Sequence, residues 1–389
     1  MTFLLAFAIA LLVSVLVSEY AERSVLSISV LFLAAGFLLR YFGGADFSAT
    51  DPNVFEVIEV AIFAVLFTDG MRIEVSELRQ RWLLPTRVLA LGFPLTLAVT
   101  ALLARYIAGV SWPAALVVGA ALSPTDPVLA QAIVGKPEVP QRIRHLLNVE
   151  SGFNDGLAAP FVILLLSAIS PEKEGMAKVI LEMVYGIGLG LALPWVVVKI
   201  VRRTPLRSSR RYLALGPFAL GVLLFSIAKI THANIFLTAF AGGISLASVG
   251  RSEYREAFRD FGDLCAELLK LAALMIFGAL LTVKMFAEIS WMAYLFAAAA
   301  LIIPRPVALA LSLYGKDFSR QEWITVAWFG PKGFSSVIYA LYILESGAPQ
   351  AVMLVRLVGL VIVYSIVLHS STDVLIASRF ADREQTNPS

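Results

Sequence analysis

Long apolar runs separated by short polar loops recur from one end of the chain to the other. A helix needs about 20 apolar residues to cross a hydrocarbon core of about 30 Å, and the runs have that length. The pattern predicts thirteen spans, roughly 3–19, 24–43, 53–69, 82–107, 112–134, 149–170, 177–201, 211–230, 234–249, 266–287, 291–314, 322–345 and 351–377. The runs are continuous rather than alternating at every second residue, which excludes the short strands of a membrane barrel. The fold class expected is an all-α membrane protein, one domain over 1–389 with short connections throughout.

Two spans break this pattern. The fifth is interrupted by Ser123-Pro124-Thr125-Asp126-Pro127, and the twelfth by Gly330-Pro331-Lys332-Gly333. Proline lacks an N–H and clashes with the preceding turn, so both helices are expected to unwind there. Each broken span is the middle one of a three-span unit, spans 4–6 and 11–13. The two breaks lie an odd number of spans apart, so the units have opposite orientations. That arrangement is an inverted repeat with two broken, crossing helices, the form in which transporters build a substrate site near mid-membrane. The sixth span also departs from apolarity, carrying Glu150-Ser151-Gly152-Phe153-Asn154-Asp155.

Composition strengthens the membrane reading. The chain is 59% hydrophobic and only 15% charged, against about 25% charged in a soluble domain. The net charge of +3 matters less than its distribution. One set of alternate loops holds Arg23, Arg72, Arg79, Arg81, Lys136, Arg142, Arg144, Arg202, Arg203, Arg207, Arg210, Arg211, Arg251, Arg255, Arg259, Lys316, Arg320, Arg379 and Arg383; the other holds only Arg40, Arg105, Lys173, Lys178, Lys229 and Lys284. Basic loops stay cytoplasmic, which places the N-terminus outside and the C-terminus inside. The first run, Thr2 to Val17, lacks a basic leader and a cleavage site and reads as a retained helix. The single cysteine, Cys265, excludes an internal disulfide, and no Cys/His cluster suggests a resident metal. No cofactor, nucleic-acid partner or enzymatic activity is expected.

The polar residues in the spans suggest ion chemistry. A carboxylate at the bilayer centre costs at least about 2.5 kcal/mol. Unwinding at 124–127 frees carbonyls near Ser123 and Thr125, tolerable only beside a polar cavity or a partner such as a dehydrated cation. Asp126 can pair with that cation or with the positive end of a half-helix. Ser151 and Asp155, four apart, share a helix face and offer a hydroxyl and a carboxylate. Burial disfavours the charged form of a carboxylate, so Asp155 can take either a proton or a cation, and that competition suffices for antiport. Glu150 and Asn154 form the adjacent stripe, better suited to structural support. Arg305, in the eleventh span, needs a carboxylate at depth, and Glu150 is the first choice. Lys332 is left with two roles, neutralising half-helix dipoles or pairing with an acid. Asp69 stands near the cytoplasmic end of the third span, where it can guide cations. His145, His232 and His369 read as ordinary interfacial residues. The charged segment Ser252 to Lys270 reads as an amphipathic stretch along the cytoplasmic surface. Gly186, Gly188 and Gly190 permit close helix packing.

Ser-Pro-Thr-Asp-Pro at 123–127 followed by Glu-Ser-Gly-Phe-Asn-Asp-Gly at 150–156 resembles the paired signatures of the sodium/proton exchanger family, in its NhaP-like branch. Leu-Phe-x-x-Gly at 66–70, Arg305 and the break at 330–333 follow in the expected order. The resemblance implies a homodimer in a prokaryotic inner or plasma membrane. It implies an ion-translocating core (82–170 and 291–378) moving against a scaffold and dimerisation bundle (1–78 and 177–288). It implies exchange of Na+, or of K+ or Li+, for H+. Asp155 would carry cation and proton in turn, with Ser151, Thr125 and Asp126 completing the Na+ site and Glu150 pairing with Arg305. Asn154 beside Asp155 implies electroneutral exchange; Lys332 departs from the arginine often found at its place. The readings that compete are a potassium-selective antiporter, a cation channel and an intramembrane aspartyl protease using Asp126 and Asp155. A channel usually surrounds its pore with symmetric rings of ligands, which inverted breaks do not provide. The Gly-x-Gly-Asp context of such proteases is missing from both aspartates.

Overall fold

The computed structural model of the chain describes residues 2–21, 27–43, 52–73, 86–126, 139–170, 175–204, 209, 212–250 and 252–386. All regular structure among them is helical. The first helices are α1 (Thr2–Ala21), α2 (Ile28–Gly43) and α3 (Pro52–Arg72). A π-helical turn (Val88–Gly92) runs directly into α4 (Phe93–Tyr106), and α5 (Trp112–Ala121) follows. Next come α6 (Gln141–Ser167), α7 (Met176–Arg203), α8 (Leu215–Thr231), α9 (Ile235–Val249) and α10 (Ser252–Leu280). The short α11 (Val283–Ala287) leads to α12 (Trp291–Ile302) and α13 (Pro304–Ser312). The chain closes with α14 (Arg320–Trp328), α15 (Phe334–Glu345) and α16 (Ala351–Thr386).

Five of the described stretches are long and apolar enough to cross a membrane: Val88–Tyr106, Gln141–Ser167, Met176–Arg203, Trp291–Ser312 and Ala351–His369. Shorter apolar helices lie where the hydropathy pattern placed most of the other spans. Both expected breaks are present. α5 ends at Ala121 and residues 122–126 leave helical geometry; α14 and α15 are separated by the irregular residues 329–333. Pro127, the second half of the fifth span and the basic residues Arg23, Arg79, Arg81, Lys136, Arg207, Arg210, Arg211 and Arg251 fall outside the described residues.

Three boundaries differ from the hydropathy reading. The sixth span starts at Gln141, eight residues early, because the charges of its first turns are partnered. Arg142 forms a forked pair with Glu322, and Arg144 Nε donates to Val139 O at 3.0 Å. The eleventh span is two helices, with Pro304 opening α13 where its missing N–H breaks the ladder. Ser252 to Lys270 is no separate surface stretch: it is continuous with the apolar tenth span in α10, with Phe258, Gly262, Ala266 and Lys270 buried.

Packing divides the helices into two sets of close neighbours. α9 lies between α3 and α7, and α10 packs on α2 and α3. In the other set α5 packs on α4 and α6, α15 and α12 pack on α16, and α13 packs on α4. Small residues bring the backbones together. A Cβ at Gly186 or Gly190 would lie 2.7 or 2.6 Å from a carbonyl of α9 or its cap, whereas Gly188 faces open space. The spacing of four that matters is thus Gly186/Gly190, the small-xxx-small form of membrane helix contact.

Candidate functional site

The two breaks meet. Asp126 N–H donates to Pro331 O at 2.8 Å, joining the irregular segments through their backbones. Each break then supplies a charge to the helix end of the other. Asp126 Oδ2 accepts from Phe334 N–H at 3.0 Å, at the first residue of α15. Lys332 Nζ lies 3.2 Å from Pro124 O and 3.4 Å from Ser123 O, just beyond the C-terminal end of α5. A helix carries about half a positive charge at its N-terminus and half a negative charge at its C-terminus. Both placements therefore have the favourable sign. Of the two roles open to Lys332, it takes the neutralisation of helix ends, and Asp126 caps the second half-helix of the opposite repeat.

The break around Lys332 is braced from α16. Lys332 N–H donates to Ser365 Oγ, and His369 brings Nδ1 to 2.9 Å from Ser365 O and Nε2 to 3.0 Å from Trp328 O. His369 is thus buried in the middle of a helix, not interfacial as its position near a predicted span end suggested. His232 is exposed and ends α8 in a left-handed conformation; His145 is half-buried.

α6 delivers the remaining polar residues. Glu150 and Arg305 form a buried bidentate pair, Nη1 to Oε1 at 2.6 Å and Nη2 to Oε2 at 2.9 Å. Arg305 Nε also donates to Val326 O at 2.8 Å, which ties the pair to the end of α14. The adjacent face behaves differently. Ser151 Oγ donates to Thr125 O, the carbonyl released by the first break. Asp155, one turn on, is 5% exposed, and its Oδ1 has no hydrogen-bond partner among the described residues. Its backbone carbonyl accepts from Tyr339 Oη at 2.9 Å, which fixes α6 against α15. Asn154 Oδ1 is likewise buried without a described partner. It faces a small polar cavity that Thr125, Glu150, Arg305 and Lys332 also line.

Asp69 is buried rather than solvated at a span end. Arg72 Nη1 lies 3.3 Å from its Oδ1, and Arg72 Nη2 lies 2.9 Å from Asp263 on α10. Beside this group stands Lys270, 7% exposed, which the sequence pattern left as the last charge of a surface stretch. Two signals could have found these residues: the spacing of three from Glu267 to Lys270 aligns both on one helix face, and Ser365 and His369 are spaced by four.

The arrangement presents hard oxygen donors of three kinds around the crossing: the carboxylates of Asp155 and Asp126, the Ser151 hydroxyl and the Thr125 carbonyl. Nothing among the described residues groups three His, Cys, Asp or Glu as a resident metal site would. The donor set suits a dehydrated monovalent cation, and an unpartnered carboxylate oxygen inside the protein suits either that ion or a proton.

Known proteins carry the same fold. The structure superposes on the sodium proton antiporter MjNhaP1 of Methanocaldococcus jannaschii with a TM-score of 0.79 and 19% identity, covering 98% of this chain and 99% of that one. In sequence the chain is 24% identical over 391 residues to the K(+)/H(+) antiporter NhaP2 of Shewanella baltica (strain OS223), covering 98% of this chain and 67% of that protein. It is 25% identical over 353 residues to the Na(+)/H(+) antiporter 2 of Zygosaccharomyces rouxii, covering 85% and 44%. The chain thus spans about two thirds of the first relative's length. A match to the family described as "Sodium/hydrogen exchanger, transmembrane" extends over residues 7–377. With that match over nearly its whole length, this multi-pass membrane protein belongs to the sodium/hydrogen exchanger family.

Proposed function

We propose that the protein exchanges a monovalent cation, Na+ first, for H+ across a prokaryotic plasma membrane, with Asp155 binding the two in turn. The observation that carries this reading is the buried Asp155 Oδ1 without a described partner, one helical turn from the Ser151–Thr125 contact. Asp126 and Thr125 approach from the first break and Ser151 from the face of Asp155, so a cation at this place meets oxygen on several sides. Glu150, Arg305, Asn154 and Lys332 support the frame without joining the site. Because Glu150 is neutralised by Arg305, one titrating carboxylate exchanges one charge for one charge, and the exchange is electroneutral.

The reading extends to the whole assembly. The helices of 82–170 and 291–378 act as the moving core and those of 1–78 and 177–288 as a scaffold, with two copies joined through their scaffolds. The N-terminus lies outside and the C-terminus inside. Asp69 guides the cation from the cytoplasmic face. Potassium is the second substrate reading, favoured by the name of the Shewanella relative.

The test uses purified protein in liposomes with an inside-acid pH gradient, read by a pH-sensitive dye with the membrane potential clamped and then released. Added Na+ should drive proton efflux that is indifferent to potential and absent in Asp155→Asn. A response confined to K+ changes the substrate and keeps the mechanism. Silence toward every monovalent cation sinks the antiport reading, and undiminished exchange in Asp155→Asn removes Asp155 from the carrier role.

A further inference from the structure

A buried ammonium stands beside the crossing with no part in the chemistry above. Lys270 projects from α10, a helix of the other packing set, toward the start of α15. Its Nζ lies 5.9 Å from the centre of the Phe334 ring, and Phe334 is the residue whose N–H is capped by Asp126. It stands within electrostatic reach of Asp126, Asp69, Glu267 and Asp155, with Arg72 the nearby charge of its own sign. No ion pair or hydrogen bond fixes Lys270 to one of these carboxylates among the described residues. A lysine buried for stability alone is expected to be paired, because an ion taken out of water costs several kcal/mol unless its partner is in contact. Lys270 is instead shared among carboxylates, two of which belong to the proposed cation site.

A lysine head group is a compact monovalent cation on a flexible four-carbon stem, with three N–H donors. Set among Asp69, Asp126 and Asp155, it supplies the positive charge that an arriving Na+ or K+ would supply. We propose that Lys270 is a tethered competitor of the transported cation, setting the affinity for that ion on the side where Asp69 and Arg72 stand. The inference rests on the antiport reading and adds to it an affinity-determining residue outside the two breaks. A cation approaching from the Asp69 side meets a field that Lys270 has already partly neutralised. It binds only as the ammonium swings away or its repulsion is overcome, so the half-saturating concentration is higher than the carboxylates alone would give.

The test compares wild type with Lys270→Met, Lys270→Gln and Lys270→Arg in the same liposomes, varying the cation on the Asp69 side. Loss of one positive charge at this range should lower the KM roughly tenfold in Lys270→Met and Lys270→Gln, with kcat within about twofold. Lys270→Arg should keep the wild-type KM. Methylammonium, a free copy of the lysine head group, should compete with the transported ion more strongly in the Met variant than in wild type. An unchanged or raised KM in folded Lys270→Met or Lys270→Gln overturns the proposal. So does failure of both neutral variants to fold while Lys270→Arg folds, which would assign Lys270 a structural charge pair. Absence of exchange in wild type is a different failure and falls on the antiport reading alone.

Discussion

Glu150 and Arg305 illustrate how a polar residue in a span is stabilised by its exact partner rather than by its polarity. Both oxygens of the carboxylate are used, and the guanidinium spends its third nitrogen on Val326 O. Removing one partner of a buried pair typically costs about 3–5 kcal/mol, because the other charge is left uncompensated. Glu150→Ala should therefore lower the thermal denaturation temperature sharply while sparing cation affinity in whatever fraction stays folded. Glu150→Gln, which keeps an acceptor for Arg305, should lie between. A Glu150→Ala protein of normal thermal stability but weakened cation binding would exchange the roles of Glu150 and Asp155. This pair was legible in the sequence because a buried arginine demands a carboxylate and stripe geometry separates Glu150 from Asp155. Lys270 was legible only as one end of the Glu267–Lys270 stripe. It ends a charged run and precedes an apolar one, so its environment depends on α3 and α15, which lie far away along the chain. For His369 the spacing of four to Ser365 was readable, but its other partner, Trp328, stands at the far side of a break whose path the sequence does not reveal.

At the scale of elements, the breaks were readable from proline and glycine alone, but their mutual compensation was not. The sequence left Lys332 between two roles and Asp126 between two partners, since each answer depends on which helix end crosses which. Gly333 is where this crossing is tightest. A Cβ there would lie 2.6 Å from Asp126 Cβ and 2.8 Å from its Cγ. A side chain there meets the Asp126 carboxylate itself. Gly333→Ala should cost about 1–3 kcal/mol by overpacking, push Asp126 off the start of α15, and weaken cation binding measured by calorimetric titration. Gly152→Ala, on the helix that carries Asp155 but with nothing within 4 Å of the added methyl, serves as the control. It should bind as wild type and gain several tenths of a kcal/mol from helix propensity. Equal behaviour of the two variants would remove the crossing contact from the account of binding. The early start of α6 and the continuity of α10 show why hydropathy misplaces ends: a charged turn counts against a helix in a sliding window even when Glu322 or Arg72 neutralises it.

For the whole molecule, the alternation of basic loops predicts an orientation, and Cys265 offers a way to test it. It is the chain's one cysteine, half-buried on the charged half of α10, near Asp263 and Glu267. A membrane-impermeant maleimide should label it in inside-out vesicles and leave it unlabelled in right-side-out vesicles. The opposite pattern would invert the proposed topology and with it the side on which Asp69 and Lys270 meet the ion.

The exchange of charges between the breaks also bears on how the protein is made. Asp126 caps a residue 208 positions further along the chain, and Lys332 neutralises carbonyls equally far behind it. At about 5–20 residues per second, the ribosome needs roughly 10–40 s to pass from one to the other. Throughout that interval the nascent fifth span lacks both the α15 end that Asp126 caps and the ammonium of Lys332. The crossing of the two breaks, and with it the proposed cation site, is thus completed at the end of biogenesis, when the twelfth span arrives. A chain released before that point carries a membrane segment with unmet polarity, the kind of defect by which quality-control proteases recognise unfinished membrane proteins.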